Sequence, residues 1–257
     1  MRNNIRGVLT AVVTPFDTEG ALSLSGLKRQ IDRQLSAGNG IFCGGTNGEF
    51  FVLNEEEKIA VTRTCVETVA GRAPVVAHIG EISTRETIRL GKQIASLGVD
   101  AVSVITPYFV PLKQSELVAH YTAIADALAV PVFLYNIPAR TGNTIEPATA
   151  RALAEHPNIV GIKDSAGSYE SLRGFLNAVR DMDGFDVLNG PDSLIHQGFV
   201  DGCSACISGL ANVAFSPAAV KKALQIMGED VGESRYAVAF SEQQCQQIRR
   251  IVTTSLN

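Results

Sequence analysis

The chain has 257 residues, 46% apolar and 19% charged, with a net charge of −4; this suits one large domain or two small ones with a substantial core, and excludes a disordered chain. No clustered basic face offers itself to nucleic acid or to an anionic membrane. The N-terminal MRNNIRGVLTAVVTPF has only a short apolar run that meets a proline, so no secretory leader is expected, and no apolar run approaches the roughly eighteen residues of a membrane span.

Short β-branched or apolar runs then alternate with amphipathic stretches along most of the chain. Val8–Val13 reads as a strand and Ser25–Ala37 as a helix; Gly40–Cys43 is followed by Glu55–Ala70, Val75–Ile79 by Thr84–Leu97, and Ala101–Ile105 by Gln114–Ala127. Val132–Tyr135 precedes the helix Pro147–Glu155, Ile159–Lys163 precedes Tyr169–Arg180, Asp186–Leu188 precedes Ser193–Val200, and Gly202–Ile207 precedes Pro217–Met227. Asn54 before Glu55 and Ser216 before Pro217 have the chemistry of helix N-caps. Eight strand–helix units with no Gly/Ser- or Pro-rich linker predict an α/β protein, a closed (β/α)₈ barrel over residues 1–228. An open doubly wound sheet has the same alternation, because the sequence does not report closure. Residues 229–257, with sparse apolar positions, are expected to form a short helical appendage.

The five cysteines (Cys43, Cys65, Cys203, Cys206 and Cys245) are odd in number and scattered, which points to reduced thiols and a cytoplasmic protein. Cys203 and Cys206 have CxxC spacing but sit in the β-like run GCSACISG; residues three apart on a strand face opposite ways, so packing is expected rather than a shared metal. His78, His120, His156 and His196 lack metal-ligand spacing and read as structural. No metal is expected.

In a barrel, the C-terminal tips of the strands gather at one mouth, where such folds place their chemistry. The tips here are GGTNGE (Gly44–Glu49), TPYFVP (Thr106–Pro111), YNIPART (Tyr135–Thr141), KDSAG (Lys163–Gly167), NGPDS (Asn189–Ser193) and ISG (Ile207–Gly209). Lys163 ends an apolar strand. Strand alternation puts Lys163, Gly161 and Ile159 on one face and Val160 and Ile162 on the other; the outer face must be apolar to meet helices, so Lys163 points inward, and Gly161 leaves room for its stem.

Tyr135, one strand–helix unit earlier, is then its neighbour. A lysine sheltered there is held more readily as the amine, which condenses with carbonyl compounds to a Schiff base. A tyrosine hydroxyl can move the protons this requires if a relay or the cation helps it, and Thr46 is a relay candidate. N–H groups of the turn around Thr46 and Asn47, opening onto a helix, could hold a carboxylate, and the Arg140 fork could hold a second acid group. Each residue alone has a plainer reading: GGTNGE as a tight βα turn, Arg140 as a surface cation, Tyr135 as a core aromatic. Their convergence on one mouth favours the chemical one.

GVLTAVVTPF, GTNGE, TPY, YNIPART, GIKDS and ISGLANV, in this order from the start to Val213, resemble the dihydrodipicolinate synthase and N-acetylneuraminate lyase superfamily of pyruvate-dependent Schiff-base aldolases. The resemblance implies a (β/α)₈ barrel assembled as a homo-oligomer, a tetramer or dimer. It implies Lys163 as the amine that captures pyruvate, Tyr135 as the proton-transfer residue, Thr46 and Asn47 at the carboxylate, and Gly190 and Ile207 lining the pocket. It implies no cofactor beyond the lysine imine.

The chain departs from the synthase pattern at three points. Asn47 replaces a second threonine; Phe109 replaces a tyrosine that enters the neighbouring subunit's relay; and family members continue through more C-terminal helices. Arg140 matches the synthase. Asn47, Phe109 and ISGLANV together resemble aldolases of 2-keto-3-deoxy sugar acids. The leading expectation is therefore a class I lyase acting on such an acid or a related hydroxy-oxo acid. The alternatives are 4-hydroxy-tetrahydrodipicolinate synthase, from pyruvate and aspartate semialdehyde, or an idle barrel that binds a 2-oxo acid.

Overall fold

A computed structural model of the chain describes residues 5–212, together with Glu242 and Gln246. The eight strands are β1 (Gly7–Ala11), β2 (Gly40–Cys43), β3 (Val75–His78), β4 (Ala101–Ile105), β5 (Val132–Asn136), β6 (Ile159–Asp164), β7 (Asp186–Asn189) and β8 (Ala205–Ser208). All pair in parallel in sequence order. The alternative of an open sheet is excluded by the last pairing, in which Gly7–Thr10 of β1 runs beside Ala205–Ser208 of β8 and closes the barrel.

The helices on the outside are α1 (Leu24–Ser36), α2 (Glu55–Val69), α3 (Thr84–Ala95), α4 (Gln114–Ala127), α5 (Pro138–Thr141), α6 (Pro147–Leu153), α7 (Tyr169–Val179) and α8 (Ile195–Asp201). Their starts are set by caps. Asn54 and Glu57 form a reciprocal capping box on α2, and Ser23, Ser83 and Ser168 accept from first-turn N–H groups of α1, α3 and α7. The expected cap Ser216, helix Pro217–Met227 and Cys245 lie outside the described residues, as does the 229–257 extension apart from Glu242 and Gln246. Among the described residues no helix is long and apolar enough to cross a membrane.

Two elements differ from expectation for local reasons. Gly202 does not begin β8: with φ of 110° it closes α8, its N–H bonding back to Gly198 and Phe199. α5 was not anticipated; Pro138 starts it and left-handed Gly142 stops it after one turn.

Apolar side chains form two shells. Val102, Val104, Leu134, Ile162 and Val187 face the helices, whereas Leu9, Phe42, Val76, Phe133, Leu188 and Ile207 fill the barrel. Burying each of the larger interior side chains stabilises the fold by roughly 1.5–3 kcal/mol.

The foot of β6 breaks strict alternation. Val132 pairs with Ile159 but Phe133 pairs with Gly161, leaving Val160 as an extra residue. Ile159 therefore packs in the outer shell and Val160 in the inner one, the reverse of the expected assignment. Alternation resumes above the bulge, so Gly161 and Lys163 still face inward. The space at Gly161 belongs to the Phe133 ring, not to the lysine stem: a Cβ there would lie 2.5 Å from a Phe133 ring carbon and 2.4 Å from the Asp186 carbonyl oxygen.

Cys203 precedes β8 and packs in the outer shell, and Cys206, between inward Ala205 and Ile207, faces the same way. The two do not oppose each other as expected. Burial first, and nearby carboxylates second, push both thiols up to about 12, which suits packing residues that remain protonated.

Candidate active site

Lys163 is 5% exposed at the tip of β6, and its Nζ lies 3.7 Å from the centroid of the Tyr135 ring and 5.5 Å from that of Phe42. It donates to Ser165 Oγ at 2.9 Å and forms no ion pair with any described carboxylate. The cation is thus held by ring faces and a neutral hydroxyl.

Tyr135, 2% exposed, pairs across the β5–β6 ladder with Lys163. Its Oη lies 3.1 Å from Thr46 Oγ1. Burial acts to raise its pKa, but the charge of Lys163 and hydrogen bonds from Thr46, Lys163 and Ser165 outweigh burial, so the phenol titrates below its ordinary range. A phenol held below its ordinary range gives up its proton more readily.

The turn carrying Thr46 is forced by local packing. A Cβ at Gly45 would lie 2.2 Å from a Phe42 ring carbon, and Gly44 is left-handed with φ of 64°. The turn opens not onto α2 directly but onto a 3₁₀ turn, Phe50–Val52, entered through left-handed Glu49. The first full helical N-terminus is thereby displaced to Glu55. The N–H groups of Thr46 and Asn47 are nonetheless not engaged by any described backbone carbonyl.

Above this core lies a cleft of about 470 Å³ lined by Thr46, Asn47, Phe50, Phe51, Ile105, Tyr108, Arg140 and Thr141. Arg140 reaches it from α5. Thr141 accepts from Thr106 Oγ1 at 2.8 Å, and Asn143 donates to the carbonyls of Pro107 and Val110, so the loop after β4 and the loop after β5 are tied together. Thr46, Asn47 and Arg140 therefore share one cavity, with Tyr135 and Lys163 beneath Thr46.

Gly190 and Ile207 do not line that cleft. Gly190 donates its N–H to the Asp164 carbonyl at 2.8 Å and lies against Ser165, while Ile207 is buried in the barrel interior. Phe109 does not line the cleft either; it is 91% exposed and left-handed at φ of 81°.

Ser165 is the residue that sequence reasoning missed. Between Asp164 and Ala166-Gly167 it reads as turn chemistry; its proximity to Nζ follows only from the chain's reversal after β6. Ser165 N–H donates to the Asn136 carbonyl at 2.8 Å, and Asp164 is held by Asn136 Nδ2 at 2.8 Å. At the next tip, Asp192 accepts from Ser208 Oγ at 2.5 Å and from the Leu210 N–H at 3.0 Å, fixing the end of β8 beside Asn47.

His78, read as structural, is buried between Phe50 and Tyr135, with ring centroids 4.6 and 5.9 Å away. Burial first, then the charges of Lys58 and Lys163, lower its pKa to about 3, so it is a neutral ring at the site.

The Dihydrodipicolinate synthetase family model matches residues 4–254. The chain belongs to that family. It is 39% identical over 208 residues to the 4-hydroxy-tetrahydrodipicolinate synthase of Exiguobacterium sibiricum, covering 80% of this chain and 70% of the relative. A solved dihydrodipicolinate synthase from Acinetobacter baumannii, complexed with pyruvate, superposes with a TM-score of 0.80 at 31% identity, covering 97% of this chain and 98% of that one. YagE from E. coli K12, a prophage protein of the dihydrodipicolinic acid synthase family solved with pyruvate, gives a TM-score of 0.82 at 28% identity, with 97% and 98% covered. This member of the dihydrodipicolinate synthetase family is thus a pyruvate-dependent lyase, and its family works through a lysine Schiff base without a metal or other cofactor.

Proposed function

We propose that the chain joins pyruvate, held as an imine on Lys163, to an aldehyde that bears a carboxylate, with aspartate semialdehyde as the acceptor. This is the chemistry of 4-hydroxy-tetrahydrodipicolinate synthase. One observation carries the reading: a buried lysine that forms no ion pair with any described carboxylate lies on the face of a tyrosine whose hydroxyl meets a threonine, directly beneath a cleft that contains an arginine. The names of the relatives support the acceptor, and they favour it over the keto-deoxy sugar acid suggested by the motifs.

Lys163 Nζ attacks C2 of pyruvate, and Tyr135 delivers and recovers protons at the carbinolamine oxygen. Thr46 holds Tyr135 and, with Asn47, supplies N–H groups to the pyruvate carboxylate. The imine draws off the electrons released when a C3 proton leaves, and the enamine adds to the aldehyde. Arg140 offers two parallel donors to the acceptor's carboxylate. Gly190 allows Ser165 to sit close to Lys163, and Ile207 supports the floor of the pocket from below. Residues 1–228 are the catalytic barrel in this reading and 229–257 an extension. The enzyme works in the cytoplasm as a homo-oligomer.

Borohydride added with pyruvate should fix a covalent adduct on the wild type and none on Lys163→Ala; an unmodified wild-type mass rejects the imine. Turnover with aspartate semialdehyde then supports the synthase reading. Phe109, which carries no exchangeable proton, and Asn47 favour a second reading, cleavage of a 2-keto-3-deoxy acid. Pyruvate released from such an acid, without turnover of the semialdehyde, would establish it. Adduct without turnover of either would indicate an idle barrel.

A further inference from the structure

We propose that Ser165 is a catalytic proton carrier linking Lys163 to Tyr135, its hydroxyl passing protons between the nitrogen and the phenol. The proposal rests on the imine reading above. Ser165 Oγ accepts from Lys163 Nζ at 2.9 Å, and a hydroxyl that accepts one hydrogen bond keeps its own hydrogen to donate. The Tyr135 ring lies beside the same nitrogen, its centroid 3.7 Å from Nζ, and Tyr135 Oη meets Thr46 Oγ1 at 3.1 Å; Ser165 stands close enough to the phenol to help lower its pKa. Thr46 in turn lines the cleft. Lys163, Ser165, Tyr135 and Thr46 are thus gathered between a buried nitrogen and the open mouth.

The serine is fixed from several sides. Its N–H is held by Asn136, the preceding Asp164 bonds both Asn136 and the Ala166 N–H, and Gly190 leaves space where a Cβ would lie 2.0 Å from Ser165 Oγ. Backbone and packing thus hold Ser165 beside Nζ.

Attack of the amine on C2 forms the C–N bond, opens the carbonyl π bond and leaves N–H⁺ beside O⁻. Ser165 takes the proton from nitrogen as it passes its own to Tyr135, and Tyr135 gives its hydroxyl proton to the alkoxide, yielding a neutral carbinolamine. In dehydration the C–O bond breaks, Tyr135 protonates the departing oxygen to water, and the nitrogen lone pair closes the iminium. The phenolate left behind is reprotonated through Thr46 from the cleft, and no oxidant or reductant takes part.

The test times imine formation by borohydride quench of the intact enzyme with pyruvate across pH. Ser165→Ala is expected to form adduct on the order of 100-fold more slowly near neutrality, the usual scale for removing a general acid–base group. Its half-saturating pyruvate should stay within a few-fold of wild type, its deficit should shrink at alkaline pH or with added imidazole, and Ser165→Thr, which keeps the hydroxyl, should recover most of the rate. A wild-type rate in Ser165→Ala overturns the relay. So does a deficit that is constant with pH and unmoved by imidazole, which would mark a merely structural serine. If the wild type itself traps no pyruvate, the imine reading fails and the relay with it; adduct in the wild type alongside an indifferent Ser165→Ala removes the relay alone.

Discussion

Gly190→Ala tests the packing that holds the serine beside the lysine. A Cβ added there would lie 2.0 Å from Ser165 Oγ, 2.6 Å from the Asp164 carbonyl oxygen and 3.0 Å from Ser165 Cβ, against ordinary contacts of 3.4 Å or more. The hydroxyl can rotate away. The carbonyl cannot easily do so, because it accepts the Gly190 N–H at 2.8 Å and belongs to the β6 ladder. Relieving the contact therefore requires the tips of β6 and β7 to part by roughly 1 Å, an overpacking that costs about 1–3 kcal/mol. For a domain of this size that lowers Tm by roughly 2–12 °C. Displacing Ser165 should also slow adduct formation with pyruvate. The double variant Gly190→Ala/Ser165→Ala separates the two contributions: it should regain part of the stability, since the 2.0 Å contact is gone, but not the adduct rate. Thermal unfolding and timed borohydride quench read both quantities. Wild-type Tm and wild-type rate in Gly190→Ala would refute the close packing at this tip.

Gly45→Ala drives a Cβ to 2.2 Å from the Phe42 ring and should lose about 1–3 kcal/mol by denaturant unfolding while moving Thr46 off Tyr135. Thr46→Val removes one of the hydrogen bonds that hold the Tyr135 phenol below its usual range, so the pH at which the phenolate forms should rise, and the pH–rate profile should shift to higher pH. Arg140→Ala should raise KM for an acidic acceptor roughly 10- to 100-fold, the scale of a lost charge-assisted hydrogen bond, with pyruvate trapping unchanged. His78 titrates near 3 when folded but at its ordinary 6.5 when unfolded, so the unfolded state binds more protons between those values and stability falls as pH drops from about 6.5 to about 3. His78→Leu should flatten that acid limb in denaturant titrations, and an unchanged limb would assign it to other groups, His120 among them.

The alternation of short apolar runs with amphipathic segments was enough to read the barrel, because parallel strands buried on both faces leave a strong compositional trace. β2 and β4 match their expected limits, and the inward turn of Lys163 follows from parity alone. Where reasoning went astray, one residue with a special backbone role was the cause. Val160, the bulge, reverses the faces at the foot of β6 while its β-branched chemistry looks ordinary. Gly202 resembles the start of a strand but caps a helix. The space attributed to Gly161 is filled by Phe133, a residue 28 positions earlier, which no local pattern reports. Ser165 was hidden for the converse reason: serine beside alanine and glycine signals a turn, and only the fold brings its hydroxyl within 2.9 Å of Nζ. The site's polar residues were legible as a set; their vertical order, with Arg140 and Asn47 in the cleft and Tyr135 and Lys163 below it, was not.

The seam between β1 and β8 joins the segments 7–10 and 205–208, the most distant pair among the described strands. During synthesis β1 waits with one row of N–H and C=O groups unsatisfied until Ser208 has emerged, and such an edge is a template for illegitimate pairing. Contacts of such wide sequence separation also slow folding. Closure of the barrel is therefore gated by β8, and substitutions along Ala205–Ser208 should depress the yield of native protein more than equivalent changes in β4 or β5, whose partners are already in place.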